Sequence, residues 1–130
     1  MSYTLSTSIK QPIDQAIETL KATCMNHKLG IVSEVDVQAT IKNKLGEEIP
    51  PYKILGACNP AMAKQVITAS PKAGALLPCT IAVREVDGET FFDFMAPEVV
   101  LTLDTNPEIQ AVATEATKHI NAVIAELEAL

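Results

Sequence analysis

Tryptophan is absent, and two tyrosines with three phenylalanines are the whole aromatic complement. A core built from this chain must therefore rest on Val, Ile, Leu and Ala. Cationic clusters are missing too. Ten Lys and Arg stand against sixteen Asp and Glu, giving a net charge of −6. A nucleic-acid surface needs clustered cations to displace counterions, so that partner is excluded, and an anionic membrane surface is disfavoured for the same reason. No apolar run approaches the ~18 residues of a membrane span. No basic segment followed by an apolar stretch opens the chain, so no signal peptide is expected. Three unevenly spaced cysteines make no disulfide framework and suit a reducing, cytoplasmic setting. The Gly-rich phosphate loops, the Ser-centred nucleophile elbow, and the Cys-x-x-Cys and His-x-x-x-His spacings are all lacking. Nucleotide, hydrolase and zinc-finger readings therefore have no support, and His27 and His119 stand far apart.

What is present is ordered patterning over 130 residues, 48% of them hydrophobic, enough for one domain spanning residues 1–130. Tyr3 to Ile9 alternates as a half-buried strand. Pro12 opens a helix whose apolar stripe is Ile13, Ile17, Leu20 and Cys24, and Cys24 reads as core filling. Gly30 to Val37 is a second strand, Gln38 to Leu45 a short helix stopped by Gly46, and Tyr52 to Cys58 a third strand. Asn59 and Pro60 then cap and start a helix that ends before Pro71, with 71–74 as a loop. Leu77 to Val86 and Glu89 to Met95 form a hairpin about Asp87-Gly88. Residues 97–103 read as irregular or as one helical turn. Asn106-Pro107 caps the last helix, with Ile109, Val112, Ala116, Ile120, Val123, Leu127 and Leu130 as its apolar stripe. A hairpin excludes a purely parallel sheet. The expectation is α+β, with a mostly antiparallel five-stranded sheet and helices on one face.

Strand phase sorts residues to two faces. Leu5, Ile9, Val35, Ile54, Cys58 and Cys79, with Ile81 and Val83, are expected under the helices. On the other face the polar Glu34, Asp36, Lys53, Arg84, Thr80 and Asp93 interleave with Val32, Leu55, Ala57, Ala82, Phe91 and Met95. Three readings stay open for it: a solvated face with ion pairs such as Arg84–Asp93, a dimer interface anchored by Phe91, Met95 and Leu55, and a ligand groove. As a site, it offers Glu34 or Asp36 as base and Lys53 or Arg84 as anion holder.

The second candidate is a pair of thiols. Cys58 precedes the Asn59–Pro60 helix start, where the helix's positive end favours thiolate. Cys79 opens the fourth strand. If the third and fourth strands are antiparallel neighbours, the two thiols meet at one sheet edge, within reach of a soft metal, a haem or each other. If the connection is a parallel crossover, they lie at opposite ends. Packing as small hydrophobes is the alternative to such a site. His119, beside the last helix's apolar stripe, is a conceivable third ligand.

The segments Glu34-Val35-Asp36-Val37-Gln38-Ala39-Thr40, Lys44-Leu45-Gly46, Pro51 through Pro60 (Pro-Tyr-Lys-Ile-Leu-Gly-Ala-Cys-Asn-Pro) and Gly74-Ala75-Leu76-Leu77-Pro78-Cys79, taken in that order, resemble the bacterial and archaeal family called domain of unknown function 302. The resemblance spans about residues 3 to 128. It implies a TATA-binding-protein-like α+β sandwich and a small cytosolic homodimer. It supplies no activity and no catalytic residue. Cys58, Asn59, Pro60 and Cys79 match its pattern, while Cys24 and His119 lie outside it. The chain is thus expected to be a homodimeric binding or sensor module rather than an enzyme, centred on Cys58 and Cys79 with Asn59. Its ligand, metal or redox partner is left unnamed. A small-molecule enzyme on the open face and a purely structural dimer are the alternatives.

Overall fold

The structure, a computed structural model, describes residues 2–130. Five strands, β1 (Thr4–Ile9), β2 (Gly30–Asp36), β3 (Tyr52–Cys58), β4 (Cys79–Val86) and β5 (Glu89–Met95), form one sheet in the order β1-β5-β4-β3-β2. Every neighbouring pair is antiparallel. The helices are α1 (Ile13–Asn26), α2 (Val37–Leu45), α3 (Pro60–Ala69), the four-residue α4 (Pro97–Val100) and α5 (Pro107–Glu128). The fold is therefore α+β, as the patterning predicts. Residues 71–76, read from sequence as a loop, form a 3₁₀ turn, and Leu130 lies beyond the end of α5 and is exposed.

Local chemistry sets the helix boundaries. The side chains of Asp36, Asn59 and Asn106 accept backbone N–H groups at the starts of α2, α3 and α5. Pro12 cannot cap α1, so a carboxylate from elsewhere does: Glu85 on β4 accepts the Ile13 N–H at 2.7 Å. At the far end of α1, Glu126 of α5 accepts from Asn26 and pairs with His27, each at 3.0 Å. These bonds to Asn26 and His27 hold the Glu126 carboxyl below its ordinary range.

α5 is the spine of the molecule. Its 22 residues run about 33 Å, longer than the sheet is wide. Its C-terminal half buries Ile120, Val123 and Leu127 on the sheet against Phe92 and Phe94. Its N-terminal half overhangs, and Ile109, Val112 and Ala113 close a second core with Val66 of α3 and Leu101. With α1, whose Ile13, Ile17, Leu20 and Cys24 are all buried as predicted, it covers one sheet face. Burial pushes the Cys24 thiol up to about 12, so it is a neutral hydrophobe in the core.

The expected sheet phase is right for β1, β4 and β5 and inverted for β2 and β3. Leu55 and Ala57 are buried at 1% and 3% exposure, while Ile54 and Val35 stand out at 38% and 50%. The cause is twofold. The stretch Ile54-Leu55-Gly56-Ala57 is apolar at every position, so its own pattern carries no phase. The pairing decides it: Leu55 lies opposite Ile81, whose burial β4 fixes by strict alternation. In β2 the register shifts between Ile31 and Ser33, and this irregularity moves every later residue to the other face. Val35 then pairs with Ile54 on the open side, and Glu34 turns toward α1.

Candidate thiol site and open sheet face

The sheet's far face is turned away from α1 and α5. Its residues are set by register. Ser6, Asp93, Ala82, Ile54 and Val35 form one row across all five strands, and Ser8, Phe91, Arg84 and Tyr52 form the next. Asp93 is the polar centre. Its Oδ1 accepts from the Ser6 hydroxyl at 2.7 Å, and its Oδ2 takes the Arg84 guanidinium, as the hairpin spacing predicts. Arg84 also lies over the Phe91 ring at 4.9 Å. A shallow groove of about 440 Å³ runs between Tyr3, Tyr52 and Val100, floored by Ala82 and Met95.

Glu34 and Lys53, expected on this face, are on the other side. The Lys53 ammonium lies 3.4 Å from Glu34 and 3.6 Å from Asp14 of α1, and Lys21 of α1 is 3.9 Å from Glu34. Burial pulls the Lys53 pKa down, but Glu34, Asp14 and Asp36 outweigh it and leave it raised. These charges tie β2 and β3 to α1. The Asp36 side chain caps α2 through the Ala39 N–H. The four residues of the expected acid–base site therefore do not converge: Arg84 stands alone across the sheet from Glu34 and Lys53. The same inversion removes Leu55 and Ala57 from the open face and places Ile54 and Val35 there.

The thiols behave differently. β3 and β4 are antiparallel, and Cys79 is the partner of Ala57, next to Cys58. By strand alternation Cys58 falls on the phase of Ile54, opposite to Cys79, so the shared phase expected from sequence does not hold. At the strand end, however, the chain turns into α3, and Cys58 and Cys79 line the same cavity of about 30 Å³. Both are free and half-buried. Burial, and then the neighbouring Cys58, push the Cys79 thiol up to about 11. The amide of Asn59 is tied to the backbone at both ends. Its Oδ1 accepts from Ala61 and Met62 at 3.0 and 3.1 Å, and its Nδ2 donates to the Lys28 carbonyl at 3.1 Å. Asn59 thus builds the site's wall and the start of α3, with its oxygen committed to two backbone N–H groups and one Nδ2 hydrogen still free. The cavity holds one or two waters by volume, far short of a haem. His119 is paired with Glu115 one turn away, at 3.5 Å.

Sequence reasoning missed Met62, which lines the same cavity from the first turn of α3. The signal was available: Cys58 and Met62 are four residues apart across a helix start, one turn of separation.

Comparison with known proteins adds the lineage. The sequence model described as Domain of unknown function DUF302 matches residues 5–127. The chain belongs to the DUF302 family. Among solved structures, it is similar to the uncharacterized conserved DUF302 protein from Bacillus stearothermophilus, known from its crystal structure. The two share 21% identity over 96% of this chain and 98% of that one, with a TM-score of 0.86. At that identity the likeness speaks for the DUF302 fold alone. No curated protein matches the chain. Among the described residues, no helix is long and apolar enough to cross a membrane, and no group of three His, Cys, Asp or Glu residues gathers to hold a metal.

Proposed function

We propose that the chain is a non-catalytic binding module whose working element is the Cys58–Cys79 pair beneath the first turn of α3. The observation that carries this reading is that two thiols from neighbouring antiparallel strands, Cys79 lying opposite the residue before Cys58, line one small cavity. Reduced thiols of this kind suit a reducing compartment such as the cytoplasm. The coupling has a sign. A Cys58 thiolate repels a second charge, so removing it lets Cys79 ionise at lower pH. Peptide-resolved iodoacetamide labelling across pH is expected to place the Cys79 midpoint near 11 in the native chain. In Cys58→Ser that midpoint moves down. An unchanged midpoint would mean that the thiols do not sense each other, and the reading fails.

The module works as a homodimer through its open sheet face. Five strands give that face a footprint of roughly 24 by 22 Å, about 500 Å² before side-chain relief, on the order of what a specific interface contributes per partner. Its one ion pair, Arg84–Asp93, is internal to each chain, and the remaining charge in phase with it, Glu89, accepts from the Ser8 hydroxyl at 2.6 Å. Val35, Ile54 and Val86 are the exposed apolar side chains it would cover. Ala82, central in the rows, is the place to break it. Light scattering is expected to give twice the chain mass for the native protein and a single chain mass for Ala82→Arg with its fold intact. A native protein of single-chain mass at tens of micromolar would exclude the dimer.

A further inference from the structure

We propose that the cavity under α3 is a site for a soft monovalent ion, Cu(I), held by the sulfurs of Cys58, Cys79 and Met62. This rests on the reading of the two cysteines as one site and names what that site takes.

The donor set is sulfur. Three sulfur-bearing side chains line a single cavity, and no carboxylate or imidazole lines it with them. The one polar side chain in the wall, Asn59, has its oxygen occupied by two backbone N–H groups. Calcium and magnesium need several oxygens, and structural zinc closes a shell of four N, S or O ligands. Neither shell can be assembled here, since no three His, Cys, Asp or Glu residues converge among the described residues. Thiolate and thioether together select Cu(I).

Size and surroundings suit a bare ion as well. A space of about 30 Å³ accepts a bare ion and cannot enclose an organic group, whose bulk would stay outside the half-buried thiols in solvent. Val66, Leu101, Val112 and Ala116 complete the wall, so the ion would sit in an apolar, water-poor shell. Such a shell keeps water from the metal and retards its oxidation.

Charge balances without a redox partner. Binding replaces two S–H bonds by two Cu–S bonds. Cu⁺ enters, two protons leave to solvent, and a dithiolate complex of net charge −1 remains, with Met62 donating a neutral lone pair. No electron is transferred. The ten-residue α3 begins at Pro60, two positions after Cys58, and its positive N-terminal end lies against the anion so formed. Cys24 takes no part, buried elsewhere in the main core.

The test is anaerobic titration of the reduced full-length protein with Cu(I) against a chromophoric Cu(I) chelator, with copper K-edge absorption on the loaded protein. The expected result is one ion per chain in the native protein and in Cys24→Ala, and loss of the one-to-one site in Cys58→Ser and in Cys79→Ser. Met62→Leu, which preserves bulk, is expected to keep the stoichiometry and weaken binding about tenfold or more. The edge spectrum is expected to fit three sulfurs in the native protein and two in the variant. Unchanged affinity in Met62→Leu, or a two-sulfur native spectrum, would overturn the three-sulfur site while leaving the paired thiols standing. A native protein that takes no Cu(I) from the chelator would overturn the copper assignment, and the Cys79 labelling profile would still decide whether the thiols are paired.

Discussion

Replacing Leu55 by alanine is expected to cost about 2–5 kcal/mol of folding free energy, whereas Ile54→Ala costs under about 1 kcal/mol. Both residues are large, aliphatic and adjacent in one strand, so propensity cannot separate them. Burial does: Leu55 is 1% exposed beneath the helices, and Ile54 is 38% exposed on the open face. Truncating Leu55 removes three carbons from a core shared with Ile81 and Phe94 and leaves a void that those neighbours cannot collapse to fill. Urea unfolding in an Ala82→Arg background, which keeps dimer formation out of the comparison, measures both. The opposite order of the two costs would mean that β3 has the phase its neighbours in sequence suggest, and the β2 irregularity would be wrong with it.

Gly56→Ala is expected to destabilise by about 1–3 kcal/mol, although an added methyl would ordinarily favour a strand over glycine. A Cβ at position 56 would lie 2.4 Å from the Ser33 hydroxyl and 2.5 Å from Cγ of Pro78. The serine can rotate away, but the proline ring cannot. Pro78 directly precedes Cys79, so relief of the clash also displaces the thiol wall. Thermal unfolding is expected to fall by roughly 3–5 °C per kcal/mol for a chain of this size. A Gly56→Ala protein as stable as the native one would show that β3 and the segment before β4 are less closely apposed than described.

Much of this was legible in the sequence, and the failures have physical causes. Helix ends were readable because Asn59, Asn106 and Gly46 are local signals, and the hairpin because Asp87-Gly88 takes positive φ at both residues. The phases of β4 and β5 were readable because Thr80, Arg84 and Asp93 break the apolar run at alternate positions to Ile81, Val83, Phe92 and Phe94. β3 has no such alternation, and the irregularity in β2 leaves no mark in composition, so sequence alone puts Glu34 and Lys53 on the wrong side. That single inversion is what made an acid–base site appear on the open face. The thiols survived the same inversion because both lie at strand ends, where antiparallel neighbourhood, rather than phase, brings them to one cavity. The remote cap of α1 by Glu85 could not be read at all, since 72 residues separate the partners.

The central claim, that Cys58 and Cys79 form one site, is tested most directly with a reagent that needs two thiols at once. Phenylarsine oxide condenses with a dithiol, releasing water and forming two As–S bonds. Native mass spectrometry of reduced protein with one equivalent of this reagent is expected to show one phenylarsenic group per chain, absent from both Cys58→Ala and Cys79→Ala and retained in Cys24→Ala. A native protein that takes up no arsenical, or an adduct that persists in either single variant, would contradict the claim and leave the cysteines as packing residues.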